Sequence, residues 1–156
     1  MRMDDGVEKR LKKLGIMLPS PPLPSANYVP YRFSQNQIYI AGQISVTNEQ
    51  SILGKVGEDL SIEEGYKAAH LCGLNILAQL IGAVGNDIDH TKAIKLGGFV
   101  NAPSDFVDAP AVINGVSDFI VEIMGQDAGQ HARFAVAVSS LPGGAAVEVD
   151  AIFEII

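Results

Sequence analysis

Ala132-Arg-Phe-Ala-Val-Ala-Val-Ser-Ser-Leu-Pro-Gly-Gly-Ala-Ala-Val-Glu-Val-Asp-Ala-Ile-Phe-Glu-Ile155 is the stretch on which the fold turns. Its first part sets Phe134, Val136 and Val138 against Arg133, Ala135, Ala137 and Ser139. Its second sets Val147, Val149, Ala151, Phe153 and Ile155 against Glu148, Asp150, Ile152 and Glu154. A period of two is what an extended chain shows when one face is buried, so the pattern predicts strands at 132–139 and 146–155. Ser140-Leu-Pro-Gly-Gly144 between them has turn chemistry and predicts a hairpin. A hairpin closing around Pro142-Gly143 brings Arg133 diagonally near Asp150 on one face.

Upstream, the period changes. Ser61-Ile-Glu-Glu64 matches a capping box, in which Ser61 accepts from an early amide and Glu64 reaches back. The helix it opens places Ala69, Leu74, Leu77, Ile81 and Val84 on a broad apolar face and stops at Gly85-Asn86. Pro110 starts a second helix, with Ile113, Val116, Ile120 and Ile123 as its core face and Gly125 as its end. Further strands are expected at 28–33, 37–46, 94–100 and, briefly, 52–56, with Ser34-Gln-Asn36 as a turn and Gly97-Gly98 interrupting the 94–100 strand. This order predicts an α+β fold, a mixed sheet with two long helices packed on one face. The other sheet face reads as small and polar, not charged throughout, so a second subunit is expected to cover it.

At the front, Val7, Leu11 and Leu14 give a short amphipathic helix over 7–14, closed by Gly15. Leu18-Pro-Ser-Pro-Pro-Leu-Pro24 follows, and its four prolines impose an extended tether. The expected organisation is an N-terminal helix and tether, 1–24, packed on a single domain, 25–156.

The 156 residues are 47% hydrophobic and 19% charged, which argues against disorder and suits one domain with its own core. The net charge is −7, but Arg2, Lys9, Arg10, Lys12 and Lys13 gather five basic residues at the front, offset in part by Asp4, Asp5 and Glu8. Residues 14–156 carry six basic against fifteen acidic side chains, a balance of −9 that repels phosphate backbones. Nucleic acid is therefore a poor partner, the more so with 6% aromatic residues and no Trp for stacking. The single cysteine, Cys72, excludes an intramolecular disulfide framework and a multi-cysteine metal site. No apolar stretch near the ~20 residues of a membrane span and no signal-peptide core stand out, so a soluble cytoplasmic protein is expected.

Arg133 is the leading candidate for chemistry. Arg32 and Arg133 are the only arginines beyond residue 13. A guanidinium on a small-residue strand face is a planar fork suited to a carboxylate. A pairing with Asp150 either neutralises two half-buried charges or presents that fork to a ligand. His70, His90 and His131 share no metal-ligand spacing, although His131, two residues before Arg133, can line the same rim. Cys72 sits among Leu71 and Leu74 as a packing residue. Ser45, Ser139 and Ser140 lack a nucleophile-elbow setting, and neither Gly82-Ala-Val-Gly85 nor Gly97-Gly98 has the context of a phosphate loop.

Ile40-Ala-Gly-Gln-Ile-Ser-Val46, His131-Ala-Arg-Phe-Ala-Val-Ala-Val138, Leu141-Pro-Gly-Gly and Val147-Glu-Val-Asp-Ala-Ile152, at this spacing, resemble the YjgF/RidA family, which includes proteins labelled endoribonuclease L-PSP. The resemblance covers about 28–156. It implies a chorismate-mutase-like fold and a homotrimer with sites at subunit boundaries. It also implies cofactor-free, metal-free hydrolysis of 2-imino or enamine acids to 2-oxo acids and ammonia. By the resemblance Arg133 binds the substrate carboxylate, Asp150 stands where a glutamate orients water, and Tyr28 and Asn114 line the substrate site. The rival reading is a non-catalytic trimeric binder of small carboxylate metabolites, regulatory or chaperone-like, using the same arginine. Ala135 replaces a frequent cysteine, Ala41 a serine or threonine, and 102–111 is longer than its counterpart, which marks a divergent branch.

Overall fold

The computed structural model describes residues 5–156. Arg2 and Asp4, counted in the charge of the front segment, lie outside them. The elements run α1 (Val7–Leu14), β1 (Tyr31–Ser34), β2 (Gln37–Ile44), α2 (Ile62–Val84), β3 (Thr91–Asn101), α3 (Ala109–Met124), the single turn α4 (Gln126–Gly129), β4 (Ala132–Val138) and β5 (Val147–Ile155). Short 3-10 turns at Gly85–His90 and Pro142–Gly144 join them.

Local chemistry places the helix ends. Both halves of the capping box form at α2, with the Glu64 amide donating to Ser61 Oγ at 3.1 Å and the Ser61 amide to Glu64 Oε2 at 2.7 Å. Gly15, with φ of 67°, closes α1 in the left-handed conformation. Pro110 lies in the first turn of α3, where its missing N–H costs nothing.

The five strands form one sheet in the order β1-β2-β5-β3-β4. The β1–β2 hairpin turns at Gln35, whose φ is 55°. β5 is antiparallel to both β2 and β3, and β4 is parallel to β3 at the edge. β4 and β5 are therefore not a hairpin, contrary to the sequence expectation. The chain leaves the edge strand, passes the end of β3 and inserts β5 at the centre. The crossing segment is anchored instead to the 51–56 loop. The Gly54 amide donates to Gly144 O at 2.9 Å, and Lys55 Nζ donates to both Ser139 O and Asn101 Oδ1. That loop makes isolated bridges, not the short strand expected over 52–56.

Helices α2 and α3 pack together on one sheet face, burying Val147, Val149, Ala151 and Phe153 of β5 with Leu96 and Val100 of β3. Gly97 and Gly98 do not interrupt β3; each serves one face. A side chain at Gly98 would stand 2.7 Å from Ile113, so its absence lets α3 lie close. One at Gly97 would meet Asp150 and Phe134, which lean over it from either side. The central strand lined by apolar residues is what burial under two helices requires.

Val7 and Leu11 of α1 join the core, and Gln79 Nε2 donates to Pro22 O at 2.7 Å, holding the tether against α2. Helix α2 with its 3-10 extension, Ile62–His90, is long and apolar enough to cross a bilayer by length and composition, which corrects the expectation of no such stretch. In this fold 61% of its most apolar window is buried inside the molecule.

Candidate functional site

The crossover decides where Arg133 points. In parallel register Arg133 stands beside Leu96, a fully buried residue of the helix-covered face, while Phe134 stands beside Gly97 on the open face. Asp150 pairs with Gly97 from the other side, also on the open face. Arg133 and Asp150 thus flank β3, two strands apart and on opposite faces, which corrects the expectation that they are diagonal neighbours. Two strand spacings are roughly 10 Å. The ion pair left open by the sequence does not form within the chain.

Arg133 reaches α3 instead. Its Nη1 donates to Ser117 Oγ at 3.0 Å and its Nη2 to the Pro110 carbonyl at 3.3 Å. Among the described residues no carboxylate lies within ion-pairing distance of it. Two of its five N–H groups are thereby committed to neutral acceptors, and its charge is uncompensated locally. Residues 110, 114 and 117 share one stripe of a helix, so Asn114 lies between the two groups that hold the guanidinium. Asn114 thus lies on the α3 stripe that carries both acceptors of Arg133.

Tyr28 and Asp150 lie elsewhere. Tyr28 lines a cleft of about 260 Å³ beside the tether, with Pro22, Pro24, Gly42, Gln43 and Asn75. Asp150 lines a shallow hollow on the open face with Val29, Tyr39, Ala41 and Ile152. Glu148 stands on the same face, its carboxyl raised above the ordinary value by burial and, second, by the Asp150 charge. Within one chain the four sequence candidates do not converge: Arg133 and Asn114 lie on the β4 and α3 side, Asp150 on the open face of central β5, and Tyr28 in the separate cleft beside the tether.

The remaining candidates divide plainly. Burial pushes the Cys72 thiol well above its ordinary value, and the Glu148 charge adds to this, so it packs and does not react as a thiolate. His70 stacks edge-on against Phe119 at 4.9 Å, and burial lowers its pKa despite the opposing pull of Glu122. His131 does join the Arg133 rim: its Nε2 lies 2.9 Å from Ser117 Oγ and its Nδ1 2.7 Å from Gly129 O. Ser117 escaped the sequence reading because it is an unremarkable polar residue within an apolar helix. Only its spacing of seven from Pro110, on the stripe facing β4, could have singled it out.

The open face itself carries Phe134, Val136, Tyr39, Phe99 and Ile152 around Asp150 and Glu148. Phe99 and Phe134 meet edge-on at 5.3 Å, and Lys95 Nζ sits 5.6 Å from the Phe134 ring centre. Because Phe134 and Val136 point here, this face is more apolar than the alternation suggested.

Comparison with known proteins agrees with this architecture. The Agrobacterium tumefaciens protein Atu1372 has 43% identity, with a TM-score of 0.87 over 96% of this chain and 92% of that one. A Shewanella oneidensis structure described as "a putative endoribonuclease" has 30% identity and a TM-score of 0.91 over 96% of this chain and 99% of that one. Protein TCP17 of Trypanosoma cruzi is 41% identical over 151 residues, 96% of this chain and 94% of that one. The family described as "YjgF/chorismate mutase-like, putative endoribonuclease" matches residues 8–153, nearly the whole sheet and both long helices. With that sheet order, that span and relatives at this level of identity, the chain belongs to the YjgF/chorismate-mutase-like family.

Proposed function

We propose that this protein hydrolyses reactive 2-imino acids, or their enamine tautomers, to 2-oxo acids and ammonia, in sites shared between neighbouring copies of a homotrimer. One observation carries the reading: Arg133 is held by two neutral oxygens and by no carboxylate among the described residues, leaving three N–H donors for an anion. A ligand carboxylate supplies the missing counter-charge and can be gripped in a bidentate manner.

The chemistry asks little of the protein. An imine carbon is already electrophilic, so water adds to it and the nitrogen takes up a proton. The resulting carbinolamine expels ammonia and leaves a carbonyl. Holding the carboxylate fixes the carbon that water must reach. Asp150 is the group suited to accept the proton from the attacking water, with Tyr28 and Asn114 lining the substrate. Asp150 and Tyr28 come from a neighbouring copy in this reading, because in one chain they lie apart from Arg133. The apolar open face, with Phe134 and Val136 among its exposed residues, supports association of copies through it. An acidic body disfavours RNA as the substrate.

The test is an assay of 2-iminopropionate, generated in situ by an amino-acid oxidase and followed as keto-acid release. Wild type should accelerate hydrolysis, Arg133→Ala should lose about 100-fold in kcat/KM, and Arg133→Lys nearly as much, since an ammonium cannot reproduce the planar fork. A wild type that binds 2-oxobutanoate without accelerating imine hydrolysis would establish the binder reading in place of this one.

A further inference from the structure

The contacts around Arg133 form a chain whose direction, with the imidazole neutral, follows from its partners. The Gly129 carbonyl can only accept, so His131 Nδ1, at 2.7 Å, must carry the proton. In the neutral ring Nε2 is then a lone pair, and the Ser117 hydroxyl, at 2.9 Å, donates to it. That uses the only proton of Ser117, so its oxygen offers lone pairs to Arg133 Nη1 at 3.0 Å. The tautomer is assigned by these partners.

The fold builds this chain deliberately into three elements. Gly129 ends α4 pressed against α3, where a side chain would stand 2.6 Å from the Val121 backbone. That close approach fixes the carbonyl from which His131 hangs. Ser117 belongs to α3 and Arg133 to β4, so the chain ties the edge strand to the helix at the guanidinium. A serine without the histidine has three staggered hydroxyl rotamers and an unpolarised oxygen; with it, the oxygen is aimed and strengthened as an acceptor.

We propose that Ser117 and His131 are positioning residues for Arg133, acting in series to hold its guanidinium in the orientation that receives a substrate carboxylate. The proposal rests on the reading of Arg133 as the carboxylate anchor. It assigns no contact with substrate to either residue. His131 acts only through Ser117, so the two substitutions are not independent.

Calorimetric titration with 2-oxobutanoate tests this on wild type, Ser117→Ala, Ser117→Thr, His131→Phe, the Ser117→Ala/His131→Phe double variant and Arg133→Ala, with melting temperatures measured alongside. The phenyl ring keeps the bulk of the imidazole without its nitrogens. Ser117→Ala should weaken binding about tenfold, as expected for losing one acceptor to a charged group. His131→Phe should weaken it less, Ser117→Thr should retain most of it, and the double variant should bind like Ser117→Ala alone. Equal binding by wild type, Ser117→Ala and His131→Phe, with Arg133→Ala weakened, would overturn the relay and leave the anchor standing. A double variant weakened by the product of the two single effects would overturn action in series. Binding by Arg133→Ala as tight as wild type would remove the anchor and the relay with it.

Discussion

Arg133 shows how far a single residue type can be read. Its scarcity and its place on a small-residue strand made it visible in the sequence, whereas Ser117, His131 and Gly129 became its supports only once α3, α4 and β4 were set side by side. Glu148 illustrates the opposite case, a residue whose state depends on burial that no local pattern reveals. Its carboxyl is raised above 4.5 by desolvation first and the Asp150 charge second. The native state therefore holds that proton more tightly than the unfolded chain. The stability it contributes is fully present below 4.5 and is lost as pH rises through the raised native value. Replacing Glu148 by Gln removes the charge that burial disfavours. Relative to wild type, the variant's urea midpoint should rise as pH is taken from acid to neutral. A difference between the two proteins that stays constant with pH would contradict this.

At the scale of elements, the long helices and the sheet strands were legible, whereas the short 52–56 strand, the break at Gly97-Gly98 and the β4–β5 hairpin were misread. Alternation marked 132–139 and 146–155 as extended, and Leu141-Pro-Gly-Gly144 has the residues of a turn, but neither feature encodes which strand lies alongside. That choice is made by long-range contacts: the β3 pairings on either side, and the anchoring of 139–146 to Lys55, Gly54 and Asn101. The misread neighbour alone put Arg133 on the wrong face. The two-helix layer, by contrast, rests on local signals and one close approach. A side chain on Gly115 of α3 would stand 2.0 Å from the Tyr66 carbonyl oxygen of α2, so the helices touch backbone to backbone there. Gly115→Ala should force them apart and destabilise the fold by about 3 kcal/mol. Gly82→Ala, exposed on α2 with its nearest neighbour at 4.0 Å, should be neutral or stabilising by up to ~1 kcal/mol from helix propensity. Chemical denaturation of both variants checks the pair, and a Gly115→Ala protein as stable as Gly82→Ala would show that the contact gives way freely.

For the whole molecule, the sheet has one covered face and one open face, and Arg133 and Asp150 lie on different sides of it. Arg133 stands at the β4 edge, Asp150 on the open face of central β5 and Tyr28 beside the tether, so the site proposed above is complete only when a second copy supplies the residues one chain keeps apart. Sedimentation should accordingly give about three times 16.5 kDa for wild type and for each site variant. The decisive measurement is complementation between two inactive variants, Arg133→Ala and Asp150→Asn, co-expressed with different tags and purified as mixed oligomers. Every mixed trimer, whichever variant it holds twice, has about one boundary in three with an intact arginine from one chain and an intact aspartate from its neighbour. The mixed oligomers should therefore recover roughly a third of wild-type 2-iminopropionate hydrolysis, while each parent stays inactive. Mixed oligomers as inactive as their parents, with all three proteins folded and assembled, would mean that Arg133 and Asp150 do not meet across a subunit boundary and would contradict the shared site.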